Sequence, residues 1–334
     1  MVTTPATRIS DRTSHIVPAV AALAAALTAA CAAADALLKS PVMSTPAGGA
    51  VAAGVAAGLS ALGAMFNMIP PTGAVPAIGF PTVHTGSIPQ ARTLDTHGCM
   101  FHGPNTVIEG AMTVLTGGLP TARVMSKTAC SAMCSSGQYN VLIGGSSVTI
   151  PININGTNAF RLQVQNAAAE LYGTPTGREI FRGIADSGNM IEMHELGVAN
   201  GYCTPDNQSD ARDGTGTGSR VDWNPTHANP GTFPGETPTT VLGHELVHAY
   251  HNAQGNQAAG PMDSYPGQSG SSNRGEERAT VGTRGTTITD PSGTVVNVPD
   301  HGNDVPTENS LRRDLGLPER PSYYPPTWPG GAPW

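Results

Sequence analysis

The stretch GHELVHAYHNAQG, residues 243–255, places two histidines four apart with a glutamate beside the first. On a helix His244 and His248 lie one turn apart on the same face, so both imidazoles can grip one ion. Glu245 is rotated about 100° around the helix, beside a water rather than on the metal. Zinc bound in this way needs a third protein ligand and keeps a fourth position open for hydrolysis. The local continuation HExxHxxGxxH would supply that ligand, but position 251 is His and position 254 is Gln. The ligand is therefore expected downstream, in SNRGEERATVG (272–282), where adjacent carboxylates follow a turn. Glu277 is the expected ligand, with Glu276 as its neighbour or replacement. His251 reads as a polar face residue or a substrate contact.

The element that must position this pair is a helix over 237–255. Thr237 caps it, Pro238 fits the first helical position and Gly255 closes the end. Leu242, Leu246, Ala249 and Ala253 recur at helical spacing and form its buried stripe. RVDWNP (220–225) reads as a short edge strand able to pair with an extended substrate, and IEMHEL (191–196) as another strand. His194-Glu195 lacks a histidine at 198, so it is no second zinc motif.

HELVHAYHNAQG followed by EERATVG resembles the HELxHAxHxxxG…EExxTxG pattern of clostridial neurotoxin light chains, and is similar to type III-secreted effector zinc proteases. The resemblance spans about 165–325 and implies that the second Glu of the pair, Glu277, binds zinc. TENSLRRDLGLPERPSY (307–323) resembles a further part of that pattern, with Glu308 twelve residues before Arg320 and an RxxY ending at Tyr323. In those families the arginine and tyrosine act on the scissile carbonyl while the glutamate orients the site. Arg320, Tyr323 (alternatively Tyr324) and Glu308 carry these expected roles. The activity implied is a zinc metalloendopeptidase acting on a protein substrate.

A second constellation lies upstream. PATRISDRTSH (5–15), PQARTLDTHGC (89–99) and PTARVMSKTAC (120–130) align without gaps, each with Pro, then Arg three later, then His or Cys seven after the Arg. VLTGGLP (114–120) and NVLIGGSSVTI (140–150) read as short strands ending in tight turns. If His15, Cys99 and Cys130 converge, imidazole and thiolate form a structural zinc site for a β-rich unit with little core, with Cys134, His102 or His97 as the fourth ligand.

PxxR followed by Gly-rich strand phrases resembles the PAAR-repeat family, zinc-stapled β-cones at the tip of the type VI secretion spike. The first copy, with Arg8, Asp11 and His15, resembles the prePAAR motif, which precedes transmembrane segments in one class of such effectors. The last copy departs from the pattern, with Ser126 in place of the Asp. The resemblance covers residues 5–15 and about 71–150. It implies a trimeric spike protein as partner, a chaperone that shields the apolar segments in the cytoplasm before export, and delivery through contact-dependent injection into a target cell. An immunity protein and a target membrane complete the partners expected of such a toxin.

The apolar N-terminal third carries two nearly uncharged runs, 16–34 and 47–66, with Asp35 and Lys39 between them. They read as a membrane-type helical hairpin, the second run offering Gly49, Gly54, Gly58 and Gly63 for close contact. A secretory signal peptide ending near Ala33 is the alternative. Composition frames the rest. With 41 Gly and 29 Pro but only 12% charged residues, the 334-residue chain suggests short strands and many turns. A net charge of −7 leaves no basic footprint and excludes nucleic acid as a partner. Five dispersed cysteines argue against a disulfide framework.

The expected architecture is multidomain: a prePAAR-like motif (1–16), an apolar transmembrane-type hairpin (17–70), a β-rich PAAR-like cone (71–155) and an α+β zincin-like metallopeptidase (156–334). Two other readings are a structural spike tip whose C-terminal domain is an inactive protease fold, and a membrane-anchored housekeeping metalloprotease.

Overall fold

The computed structural model describes residues 4–9, 11–15, 17–66, 68, 70–75, 79–198, 200–228, 233–258, 274–289, 295–298, 300–304 and 306–321. The chain divides into two compact units, Met1–Ile154 and Asn155–Trp334.

The first unit is organised by the eleven-residue repeat. The residue preceding the arginine of each copy joins a closed ring of backbone hydrogen bonds. Thr7 N–H donates to the Ala122 carbonyl (3.2 Å), Ala122 N–H to that of Ala91 (2.9 Å), and Ala91 N–H to that of Thr7 (3.1 Å). The Gln90 side-chain amide caps this ring, donating to the carbonyls of Thr7, Ala91 and Ala122 at 2.5, 2.9 and 3.1 Å. The distant first copy is therefore one third of the unit rather than an appendage. In each copy the arginine N–H donates to the side chain three residues on: Arg8 to Asp11, Arg92 to Asp95 and Arg123 to Ser126. The Ser126 hydroxyl thus fills the acceptor role of the missing Asp, at 3.0 Å.

Strand phrases fold as their glycines suggest. Glu109–Thr116 and Leu119–Thr121 form a hairpin whose turn residues Gly117 and Gly118 have φ of 56° and 81°, the left-handed pair that a tight twisted hairpin requires. A five-stranded sheet runs in the order Met133–Cys134, Arg12–Ser14, Gly73–Ala74, Thr96–Cys99, Gly103–Thr106. It places the ends of the first and second copies on either side of Gly73–Ala74.

Helices Val17–Leu38 and Gly48–Phe66 pack on each other through a short turn, so the helical hairpin is formed. Its membrane-type character is not supported: among the described residues no helix is long and apolar enough to cross a membrane. Alanine and glycine dominate both runs and bring little apolar surface per residue, and the first helix ends in an exposed Lys39–Asp35 ion pair at 2.7 Å.

The second unit is α+β. Within it Ser219–Trp223 lies between Ile191–Glu195 and Gly201–Pro205. Ile191–Glu195 runs parallel to Ser219–Trp223, and Gly201–Pro205 antiparallel to it. Ile191, Met193, Val221 and Trp223 alternate into the core, as expected of strands with one covered face. The strand read as an edge, RVDW, is instead interior, paired on both sides; Gly201–Pro205 is the outermost strand. Sequence cannot separate these, because inner and edge strands of this length share the same alternation.

Helix Pro238–Gln254 packs against this sheet and against helices Asn158–Tyr172, Pro175–Asp186 and Glu308–Asp314. Thr237 and Thr240 form a reciprocal capping box, Pro238 opens the first turn, and Gly255 ends the helix at φ 70°. Leu242, Leu246, Ala249 and Ala253 are all buried. Burial extends nearly around the helix, so its polar side chains face protein rather than solvent.

Candidate active site

His244, Glu245 and His248 lie in the middle of this buried helix, each less than a tenth exposed. A second short helix, Arg274–Val281, carries Glu276 and Glu277 toward them. Glu277 Oε2 lies 3.1 Å from His244 Nε2 and 3.2 Å from His248 Nε2, and the two Nε2 atoms are 3.1 Å apart. Tetrahedral ligands at zinc distances of about 2.0–2.1 Å stand about 3.3–3.4 Å apart. The three atoms therefore form one nearly equilateral face of such a site, and this donor set fits the ion.

The opposite side of each imidazole is braced by a carboxylate. His244 Nδ1 meets Glu308 Oε2 at 2.9 Å, and His248 Nδ1 meets Glu276 Oε1 at 3.1 Å. A proton on each Nδ1 serves those carboxylates and turns both Nε2 lone pairs toward Glu277. Two lone pairs and a carboxylate oxygen at this separation repel unless a cation sits among them. The charge states of the cation-free cluster agree. Burial alone would lower His244, but hydrogen bonds with Glu277 and Glu308 outweigh it and raise it to about 9. His248 is raised well above its usual value, against burial, by Glu277 and Glu276. Burial would raise Glu277, yet the two imidazoles hold it far below the usual carboxylate range. The cluster demands positive charge, as protons or as a metal. Glu245 differs: desolvation raises its pKa above the ordinary value, which suits a group that must accept and return a proton.

Around this face lie Thr280, Arg312 and Gly201, which sequence reading missed. Glu276 is a hub: besides His248, its Oε1 accepts from His251 Nδ1 at 2.7 Å and from Thr280 Oγ1 at 3.2 Å, and its Oε2 from the Ala258 N–H at 2.6 Å. His251 thus serves the carboxylate behind a ligand rather than the substrate. Glu308 is a second hub, accepting from Arg312 Nε at 2.7 Å and Arg320 Nη1 at 2.8 Å. Arg312 and Thr280 carried a usable signal, each standing four residues after the carboxylate it serves on one helix. Gly201 carried none. A Cβ there would lie 2.9 Å from Glu245 Cγ and Oε1, so the outermost strand passes against the glutamate only because the side chain is absent. Arg320 rests on Glu308, with its guanidinium 3.9 Å over the Phe233 ring. Tyr323 and Tyr324 lie outside the described residues.

The Peptidase M91 family model, described as effector protein, matches residues 149–323. The chain belongs to this family. The match contains the two histidines, both carboxylate helices and the Arg320 segment. A PAAR motif model matches residues 44–136, covering the second and third repeat copies. This Peptidase M91 effector is thus a PAAR-motif unit followed by a peptidase-type unit. No curated protein is similar enough to the chain to count as a match.

In the PAAR-motif unit the copy ends converge. His15, Cys99, His102 and Cys130 each offer one ligand atom, all within 4.8 Å of one another. His15 Nδ1 is engaged by Thr72 Oγ1 at 2.7 Å, while Cys99 Sγ lies 3.9 Å from His15 Nε2 and 3.4 Å from His102 Nδ1. Two thiols and two imidazoles are a closed structural zinc donor set. Of the three residues considered for the fourth place, His102 is the one whose ligand atom lies with those of His15, Cys99 and Cys130. Cys134 is buried among Val75, Ala91, Val107 and Ala122, and burial pushes its thiol up to about 12. His97 is fully buried and held between Thr13 Oγ1 at 2.5 Å and Asn105 Oδ1 at 3.0 Å.

Proposed function

We propose that the chain is a secretion-spike tip effector whose second unit is a zinc-dependent endopeptidase acting on a protein of the target cell. The observation that carries the reading is the triangle of His244 Nε2, His248 Nε2 and Glu277 Oε2, with sides of 3.1–3.2 Å and a carboxylate behind each imidazole. His244, His248 and Glu277 hold the zinc. When bound, it supplies a Lewis acid that acidifies water and polarises the scissile carbonyl.

Glu245 takes the proton of the attacking water and returns it to the leaving amide nitrogen. Arg320, with Tyr323, donates to the developing oxyanion, each donor contributing on the order of 10²–10³ in rate. Glu308 and Glu276 fix the imidazole tautomers. The substrate lies extended along Gly201–Pro205. Asn200 and Asp206 bond backbone to backbone with Asn224 and Gly218, which flank Ser219–Trp223, so by alternation Cys203 directs its backbone groups to the open edge.

In the first unit His15, Cys99, His102 and Cys130 hold a structural zinc that staples the cone. The partners of this reading are a trimeric spike protein under the cone, a chaperone on the helical hairpin before export, and an immunity protein. The hairpin offers exposed Leu37, Leu38, Val42 and Met65 for such cover.

Glu245→Gln tests the catalytic reading. It is expected to abolish proteolysis while zinc content by elemental analysis stays that of the wild type; cleavage at the wild-type rate would refute the assignment.

A further inference from the structure

Glu308 carries one negative charge and is almost completely buried, yet two guanidinium groups face it. Arg312 Nε binds Oε1 at 2.7 Å and Arg320 Nη1 binds Oε2 at 2.8 Å, the oxygen that also meets His244 Nδ1 at 2.9 Å. Two cations thus face one carboxylate. The two are held in different ways. Arg312 is 1% exposed, and its Nη1 also donates to the carbonyls of Pro234 (3.0 Å) and Pro318 (3.1 Å). That side chain ties Glu308 to two loop segments. Arg320 is fixed instead through its backbone, which bonds the Asn309 side chain at both N–H (2.7 Å) and C=O (2.9 Å). Its guanidinium rests on Glu308 and on the Phe233 face.

We infer that Arg312 is the standing counter-ion of Glu308, and that its presence is what releases Arg320 to serve the substrate. This rests on the peptidase reading given above. Were Arg320 the sole cation, moving it to a developing oxyanion would strand a buried ionised carboxylate, a loss that breaking a buried pair makes severe. With Arg312 in place, Glu308 keeps a partner throughout, and His244 keeps its brace. Arg312 touches no reacting atom; it is a positioning residue that acts through Glu308 and Arg320.

A double-mutant cycle on the full chain tests this, following kcat and KM on a protein substrate, zinc per chain and folding by circular dichroism. Arg320→Met is expected to lower kcat about 100-fold. Arg312→Met is expected to lower kcat by a similar factor with KM within about threefold, because Glu308 then captures Arg320. The double variant should fall no more than about threefold below either single one. Losses that multiply toward about 10⁴ would show Arg312 acting independently of Arg320 and overturn the inference, as would an unchanged kcat in Arg312→Met. If Arg312→Met does not fold, Arg312→Lys decides. Its ammonium still balances Glu308, so kcat should stay within about fivefold of wild type while the melting temperature falls with the lost carbonyl bonds. A loss of about 100-fold in a folded, zinc-loaded Lys variant would overturn the inference. Absence of turnover by the wild-type chain would overturn the peptidase reading and this inference together, whereas turnover with multiplying losses overturns the inference alone.

Discussion

Replacing Glu276 by glutamine keeps the shape of the hub behind His248 and removes its charge. Oε1 accepts from His248 Nδ1 at 3.1 Å, His251 Nδ1 at 2.7 Å and Thr280 Oγ1 at 3.2 Å, while Oε2 accepts from the Ala258 N–H at 2.6 Å. A glutamine that keeps its oxygen on the imidazoles turns its NH2 toward the Ala258 N–H, donor against donor. Flipped, it opposes two imidazole N–H groups. The Glu276 side chain is only 3% exposed, so a mismatched donor on it costs about 1–3 kcal/mol of stability. Loss of the carboxylate brace also makes His248 a poorer ligand, typically by about 10–100-fold in metal affinity, or about 1.4–2.7 kcal/mol. The assay is a zinc competition titration against a chelating dye at fixed pH and salt, with urea unfolding of the apo chain alongside. The expected result is a zinc Kd raised by about 10–100-fold, with kcat at saturating zinc within about tenfold of wild type. A lower unfolding midpoint with an unchanged zinc Kd would refute the reasoning: Glu276 would then be a packing residue only.

Other expectations follow from the same geometry. Gly201→Val should lower kcat by about 100-fold with zinc content unchanged, because a branched side chain displaces the Glu245 carboxylate and a shift of about 1 Å at a catalytic group has that effect; wild-type turnover would place the working position of Glu245 elsewhere. In the PAAR-motif unit, a chelator should expose two thiols, Cys99 and Cys130, to alkylation at pH 8. Cys134, held as a thiol up to about 12 by burial, should stay unlabelled until the unit unfolds. Labelling of Cys134 in the folded, metal-loaded chain would contradict its place in the core.

Helix 238–254, its caps and its buried stripe were legible because each rests on local chemistry: a capping threonine, a proline at the first turn, a glycine at the end. Glu277 was legible through the paired carboxylates, and the repeat register through identical spacing of Pro, Arg and His or Cys. What escaped was set by topology. Which strand forms the sheet edge depends on pairing among 191–195, 201–205 and 219–223, and no alternation pattern distinguishes them. The ring joining Thr7, Ala91 and Ala122 is made of backbone groups and leaves no side-chain trace. His102 lies in the turn after Thr96–Cys99, beside the copy ends, whereas Cys134 sits in the core among Val75, Ala91, Val107 and Ala122, and no spacing rule separates the two. The membrane reading of 17–70 rested on length and lack of charge, and among the described residues no helix is long and apolar enough to cross a membrane.

Crystals of the Glu245→Gln full chain grown with zinc, with anomalous scattering recorded on both sides of the zinc edge, test the central claim most directly. The account expects a zinc peak about 2.0–2.2 Å from His244 Nε2, His248 Nε2 and a Glu277 oxygen. Strong zinc density elsewhere with none between these three residues would contradict it.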